Sequence, residues 1–366
     1  MTRLLCLLSG MNAGGAETFL MKIYRQLDKS KYQFDFCINV PEKCFYEDEI
    51  ISMGGKIYRI PSKSENVREF KRQLTQIIKE NNYTHVLRIT SNAMGFMEMK
   101  IAKRAGAKVC AVRSSNSSNG GSLKTVIAHR LGRLLYGKYV DVKIAPSDLA
   151  AEYTFGSSYS KGEVLLLNNG LDLNLYRFSE SERQRIRAEF GISENRMVFG
   201  NVGRFAPQKN HKFLLEIFKS ILEKSPDSKL LLVSTGPLEE EIRQRAKELG
   251  IYESIIFAGV RSDIPSVLSA IDVIIMPSFY EGMPNAIIEA QATGLPCLIS
   301  DTITKSADIT GLIKFFPLSA ASSEWADEAI SMCSPVRQDT GAACIRAGYS
   351  IDDVTKKFVD AIFKGE

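Results

Sequence analysis

The chain has 366 residues, 45% of them hydrophobic and 24% charged, and 47 Lys and Arg against 42 Asp and Glu leave a net charge of +5. That length suits two domains better than one, because single cores rarely grow past about 250–300 residues. The composition excludes disordered and fibrous classes, and no run reaches the roughly 18 apolar residues that a spanning helix needs.

In chain order, residues 3–8 read as a buried strand, too short for a signal peptide and without a cleavage site, so a cytoplasmic chain is expected. A loop with Gly14 and Gly15 leads into a helix over about 16–27, with Phe19, Leu20, Ile23 and Leu27 on one face. Strands follow at 33–40 and 56–60, a helix at 67–81, a strand at 84–89, a helix near 97–105 and a strand at 108–113. A Ser/Asn/Gly-rich loop, 114–122, precedes a basic helix reaching about residue 138. Strands at 141–145 and 163–167 flank one more helix. This alternation builds a parallel sheet covered on both faces.

Asn168-Asn169-Gly170-Leu171-Asp172 reads as a turn and the polar run 179–187 as a connecting helix, so a domain boundary is expected at about 170. The alternation then restarts. Residues 197–202 form a strand, and Leu214, Ile217, Phe218, Ile221 and Leu222 mark a helix by their i, i+3, i+4, i+7, i+8 spacing. A strand at 229–233, a helix at 239–249, and strands at 255–257 and 273–276 follow. The fold class is α/β: two doubly wound, Rossmann-like domains, 1–170 and 171–350, with a last helix at about 351–366 packing back on the first. Ligands bind at the carboxyl ends of such strands, so the cleft between the domains is the expected site.

Charge is unevenly placed. Residues 1–170 hold 25 basic and 15 acidic side chains, and the remainder 22 and 27; residues 51–150 alone hold 18 and 6. An anionic partner for the first half follows, a membrane surface or a phosphorylated lipid. Few aromatics interleave with these charges and no nucleic-acid motif appears, so nucleic acid is not expected as a partner. Seven cysteines without a C-x-x-C pair read as reduced thiols. Three scattered histidines and the absence of D-x-D signal no metal site and no cofactor.

The densest chemistry lies in Pro277-Ser278-Phe279-Tyr280-Glu281-Gly282-Met283-Pro284-Asn285-Ala286-Ile287-Ile288-Glu289. A buried strand ends at 276, and a helix is predicted from about Pro284, where proline is favoured in the first turn. Two carboxylates, Glu281 and Glu289, then straddle a helix start whose N–H groups and positive dipole end suit an anion. A ligand with hydroxyls, a diphosphate and further hydroxyls fits that pattern: a nucleotide sugar. The segment Gly203-Arg204-Phe205-Ala206-Pro207-Gln208-Lys209 also leads from a strand end into a helix, and two cations there can neutralise a diphosphate.

Glu281-x7-Glu289, Gly203-Arg204 with Lys209, Asn169-Gly170-Leu171-Asp172, and Ser9-Gly10-Met11-Asn12-Ala13-Gly14-Gly15-Ala16-Glu17 resemble glycosyltransferase family 4, retaining enzymes of the GT-B fold. The resemblance runs along nearly the whole chain. It is nearest to bacterial exopolysaccharide and capsular polysaccharide glycosyltransferases in Phe257-Ala258-Gly259-Val260-Arg261-Ser262-Asp263 and Ile303-Thr304-Lys305-Ser306-Ala307-Asp308-Ile309.

The resemblance implies that Glu281 meets donor-sugar hydroxyls, with the backbone N–H groups of Gly282, Met283 and Asn285, in the loop that Pro284 completes, as its neighbours for orientation and phosphate binding. It implies Glu289 on the ribose, Arg204 and Lys209 on the leaving diphosphate, and Gly14 and Gly15 close to the phosphate. It places Val260 and Arg261 at the base, through main chain. Gly203 and Gly236 complete the donor set. The implied activity moves a sugar from a nucleotide sugar, of UDP type, to a lipid-diphosphate-linked saccharide or a growing oligosaccharide, without a metal; the basic first half fits an acceptor at an anionic membrane surface.

Two departures from the family's pattern stand out. Where relatives carry histidines, this chain has Val112-Arg113-Ser114-Ser115-Asn116, so Arg113, Ser115 and Asn116 are candidate acceptor contacts. The usual Gly-x-Gly turn reads Ser234-Thr235-Gly236. His129, in the basic helix, is expected as a surface or packing residue, with an acceptor contact as the alternative. A nucleotide-sugar 2-epimerase of the same fold and a non-catalytic sugar-nucleotide binder are the competing functions; the scarcity of histidine weighs against the first.

Overall fold

The computed structural model describes residues 1–115, 123–334 and 336–364. The chain divides into two compact units, Met1–Gly170 with Gly348–Glu366, and Leu171–Ala347.

The first unit is built on seven strands: β1 (Thr2–Leu7), β2 (Tyr32–Ile38), β3 (Ile57–Arg59), β4 (His85–Thr90), β5 (Val109–Ser114), β6 (Val142–Ala145) and β7 (Val164–Leu166), in the order β3-β2-β1-β4-β5-β6-β7. Every pairing is parallel. Alternation along β1 sends Leu4 and Cys6 into one core, with Phe19, Leu20 and Ile23. It sends Leu5 and Leu7 into another, with Phe70, Leu74 and Met99. Both faces are therefore buried, which is why the strand reads as an unbroken apolar run. The helix Ile351–Ile362 belongs to this unit: Phe358 meets the Phe19 and Phe34 rings at 6.3 and 5.9 Å, and Phe363 stacks on Tyr32 at 4.4 Å.

The second unit carries β8 (Val198–Val202), β9 (Lys229–Val233), β10 (Ile255–Gly259), β11 (Val273–Met276), β12 (Cys297–Ser300) and β13 (Ile313–Phe316), parallel and in the order β10-β9-β8-β11-β12-β13. Sequence reading leaves out β12 and β13, each only four residues long. It also leaves out the helix Glu47–Ser52.

The connecting helix Glu180–Glu189 is tied to the starts of β8 and β11 by Asp272. That carboxylate accepts from Arg183 at 2.7 Å, from the buried Arg187 at 2.8 Å and from the Val198 amide at 2.7 Å. Its acceptor sites are satisfied by two cations and one amide, which offsets the cost of burying the charge. All seven cysteines are free, six of them buried. No helix among the described residues is long and apolar enough to cross a membrane.

Candidate functional site

In the second sheet the strand order reverses between β8 and β11, which lie side by side although β9 and β10 intervene in the chain. A crevice opens at the carboxyl ends of strands at such a switch point. The loop after β8 carries Gly203, Arg204 and Lys209; the loop after β11 carries Glu281. Chain topology brings these two distant segments together.

Lys209 Nζ lies 2.6 Å from Glu281 Oε1, with the two side chains only 17% and 10% exposed. Lys209 is therefore not the solvated loop cation that its neighbours in sequence suggest. Its stem crosses Gly203: a β-carbon on that glycine would stand 3.2 Å from Lys209 Cε and 3.4 Å from Nζ. Arg204 is exposed and makes no ion pair among the described residues. Gln208 joins the two loops, donating from Nε2 to the Tyr280 carbonyl at 2.8 Å and accepting from the Phe279 amide at its own carbonyl at 2.9 Å. Nothing in the sequence marks Gln208 for this.

The Ser234–Gly236 turn closes on the same loop. A β-carbon at Gly236 would lie 2.5 Å from the Phe205 carbonyl oxygen, so only glycine permits the approach. Phe205 N–H donates to Thr235 at 3.1 Å and Leu238 N–H to Phe205 at 3.2 Å. Ser234 has φ +134°, a conformation that ordinarily calls for glycine.

The helix that follows Glu281 spans Asn285–Ala292, with Pro284 as its N-cap rather than its first residue. Pro284 thus lies one position earlier than expected, in extended conformation, and its carbonyl accepts from Ile287 and Ile288. Asn285 and Glu289 are four residues apart and share a helix face. Gly282 and Met283 are half-buried in the preceding loop. The buried Gln291 holds this helix in place, donating to the Ala307 carbonyl at 2.8 Å and accepting from the Ile309 amide at 3.0 Å and the Thr310 hydroxyl at 2.9 Å. Ser300, the last residue of β12, and Thr302, just beyond it, both donate to the Ser278 carbonyl, at 2.6 and 3.0 Å. These hydroxyls fix the loop backbone one strand away; a polar pair closing an apolar run is their only sequence signal.

At the end of β10, Val260 is exposed and Arg261 is bound through its guanidinium to Asp263 at 2.7 and 2.8 Å and to Glu189. Those two carboxylates hold the Arg261 pKa above its ordinary value, and Arg261 in turn pulls Asp263 down to about 2. The side chain is committed to an ion cluster, which leaves the main chain for any base contact.

His211 begins the helix His211–Lys224 and packs edge-on against Phe205, ring centroids 4.9 Å apart. It is buried, and neither ring nitrogen has a hydrogen-bond partner among the described residues. Burial, with the Lys209 charge nearby, pushes its pKa down to about 4.

In the first unit, Gly14 caps the helix Gly15–Gln26, and a β-carbon on it would lie 2.4 Å from Glu17 Oε2. Burial raises the Glu17 pKa. Arg113, the last residue but one of β5, is buried, with its guanidinium carbon 3.7 Å above the Phe19 ring, and donates to Asn169 Oδ1 at 2.5 Å. No carboxylate faces it among the described residues, and burial lowers its pKa to about 9. Ser115 is exposed, its amide bonded to Thr90. Asn116 lies outside the described residues.

His129 is buried and packs its helix. Its Nδ1 accepts from the Ala93 amide at 3.1 Å, so the proton sits on Nε2, 2.8 Å from the Tyr153 carbonyl, and the ring stacks on Tyr153. Both nitrogens are used in packing its helix, and burial lowers its pKa.

Among the described residues no group of three or more His, Cys, Asp or Glu is placed to hold a metal ion. The Lys209–Glu281 pair at the β8/β11 switch point can instead present a fixed cation to a phosphate and a carboxylate to hydroxyls.

The family Glycosyl transferases group 1 matches residues 182–311, which span both loops. The chain is 36% identical over 356 residues to the putative glycosyltransferase EpsF of Bacillus subtilis, covering 95% of this chain and 92% of that one. Over 142 residues, 38% of this chain and 37% of the relative, it is 36% identical to an Escherichia coli UDP-Gal:alpha-D-GlcNAc-diphosphoundecaprenol alpha-1,3-galactosyltransferase. Its fold is similar to that of Anabaena Alr3699/HepE in complex with UDP and glucose, with TM-score 0.78, 18% identity and full coverage of both chains. It is similar also to WaaG, a glycosyltransferase involved in lipopolysaccharide biosynthesis, with TM-score 0.71, 15% identity and coverage of 99% and 100%. With two parallel-sheet α/β units and a relative matched almost end to end, the chain belongs to the group 1 glycosyltransferases and has the GT-B fold.

Proposed function

We propose that this chain transfers the sugar of a UDP-sugar to a lipid-diphosphate-linked saccharide in exopolysaccharide or capsule assembly, with retention of anomeric configuration and without a metal. The second unit holds the donor and the basic first unit the acceptor, at the cytoplasmic face of an anionic membrane. The observation that carries the reading is the Lys209–Glu281 pair, 2.6 Å apart where the β8 and β11 loops meet.

Breaking the anomeric bond leaves negative charge on the departing phosphate and an oxocarbenium-like carbon. A cation already fixed in place stabilises that charge without reorganising, usually the largest catalytic effect. Lys209 is such a cation, and the exposed Arg204 on the same loop adds a second. Glu281, held by Lys209, accepts hydrogen bonds from donor hydroxyls rather than attacking as a nucleophile. The leaving phosphate takes the acceptor hydroxyl's proton on the face it departs from, which gives retention. Glu289 serves the ribose. The Anabaena protein was solved with UDP and glucose, and the E. coli relative is named for a diphosphoundecaprenol-linked acceptor; these support the donor and acceptor classes.

The test is a thermal-shift screen of nucleotide sugars with and without EDTA, followed by incubation with a polyprenyl-diphosphate saccharide. Stabilisation by a UDP-sugar in EDTA and an α-linked product from an α-donor are expected. Epimerised sugar without a glycosidic product shifts the assignment to a 2-epimerase; binding with no product leaves only a sugar-nucleotide binder.

A further inference from the structure

The helix Leu123–Tyr136 in the first unit is turned the wrong way for a soluble surface. Its inner face is set by His129, bonded to Ala93 and Tyr153, and by Gly132. A β-carbon at Gly132 would lie 2.6 Å from the Ala93 carbonyl oxygen. At 100° per residue, the opposite side of the helix carries Ile127, Leu131, Leu134 and Leu135, within a stripe about 100° wide. These four aliphatic side chains are 50%, 48%, 79% and 53% exposed. Four large aliphatics lining one outward face form a patch, unlike the scattered apolar residues common on surfaces.

The charges around the stripe are of one sign. Lys124 and Arg130 are exposed on the helix and Lys138 lies just beyond it, and residues 123–140 contain no Asp or Glu. An apolar stripe flanked by cations has the chemistry of a helix lying in the headgroup region of an anionic bilayer. A two-fold contact with a second copy would instead bring the cations Lys124, Arg130 and Lys138 of one patch up against those of the other, with no acid in residues 123–140 to pair them.

We infer that the helix Leu123–Tyr136 docks this protein on an anionic lipid surface, burying Ile127, Leu131, Leu134 and Leu135 among the acyl chains and placing its cations at the headgroups. The inference rests on the reading of a membrane-borne acceptor and names the element that reaches it.

The experiment uses the full chain and vesicles of phosphatidylcholine alone or with about one third phosphatidylglycerol. Cosedimentation with the anionic vesicles is expected, weakening as salt rises. Leu134→Ser with Leu135→Ser should reduce binding about tenfold or more at every salt concentration. Lys124→Gln with Arg130→Gln should reduce it about tenfold at low salt and flatten the salt dependence. The melting temperature of these surface variants serves as the folding control. A Leu134→Trp variant should gain a blue-shifted emission on adding anionic vesicles, since the native Trp325 is already buried.

Equal binding to both vesicle types, no binding to either, or wild-type binding by the double serine variant overturns the inference. So does a serine variant that only converts a dimer to a monomer, which would assign the stripe to a second copy. Donor stabilisation in solution needs neither vesicle nor stripe, so failure here leaves the transferase reading standing, and loss of donor binding leaves vesicle binding measurable.

Discussion

Lys209 Nζ and Glu281 Oε1 are 2.6 Å apart although 72 residues separate them in the chain, and both side chains are largely shielded from solvent. The pair exists because β8 and β11 are neighbours in the sheet. Half-burial makes each partner costly to remove singly, since the other is left without its counter-charge. Lys209→Ala should lower kcat/KM for glycosyl transfer by about 10²–10³ and stability by about 1–3 kcal/mol. Glu281→Gln, which keeps a hydrogen-bonding shape, should raise the donor KM more than it lowers kcat. Steady-state kinetics with donor titration and urea unfolding of both single variants and the double variant check this. Additive single effects, with no coupling, would deny the pair its role.

Ser234 occupies the glycine-like conformation φ +134° in the turn beside Phe205. Strain of this sort costs on the order of 1–3 kcal/mol in non-glycine residues. Ser234→Gly should therefore stabilise the protein by about 1 kcal/mol in spite of glycine's greater entropy when unfolded. Chemical denaturation measures it; a loss of stability would show that the Ser234 side chain carries more than its backbone strain costs.

His211 gives the protein an acid-sensitive element. Its folded pKa is about 4, below the ordinary 6.5, so between those values the unfolded chain binds a proton that the folded chain refuses. Stability is then intact above pH 6.5 and falls as pH drops toward 4, by roughly 3 kcal/mol over the window if the site stays dry. His211→Phe keeps a ring against Phe205 and removes the titration. Its unfolding free energy should vary less between pH 7 and pH 4.5 than that of the wild type. Parallel pH profiles for the two proteins would contradict the assignment.

Arg113 is a buried cation with an aromatic face and an amide for company, and no acid among the described residues. Replacing an uncompensated buried charge with an apolar side chain of similar reach is often neutral or stabilising by about 1–4 kcal/mol. Arg113→Met should hold or raise the melting temperature. If Arg113 contacts the acceptor, as its place in the sequence suggests, the same variant should raise the acceptor KM and leave donor binding unchanged. A collapse in stability would instead make Arg113 a structural residue only.

Much of the architecture was legible along the chain. Strands buried on both faces, such as β1 and β8, read as apolar runs, and the helix His211–Lys224 announced its inner face by spacing. Glu281, Glu289, Arg204 and Lys209 were visible as candidates because glycine- and proline-marked loops follow strands there, where a ligand is expected. The strands β12 and β13 were not read from the sequence, although β6 and β11, equally short, were. His129 and Arg113 show the opposite limit: each looks available in a polar or basic stretch, and each is buried by neighbours distant in the chain.

Residue order by itself determined the alternation of strands and helices, the uneven placement of charge, and which loops hold cations and carboxylates. Those properties are local, set by spacing and composition within a few turns. Tertiary structure alone decided that Lys209 meets Glu281, that Gln208 and Ser300 hold the loops, and that four aliphatics of the 123–136 helix face outward. Each of these depends on which strands become neighbours and which helix face finds a partner, and long-range packing settles that after the local pattern has formed.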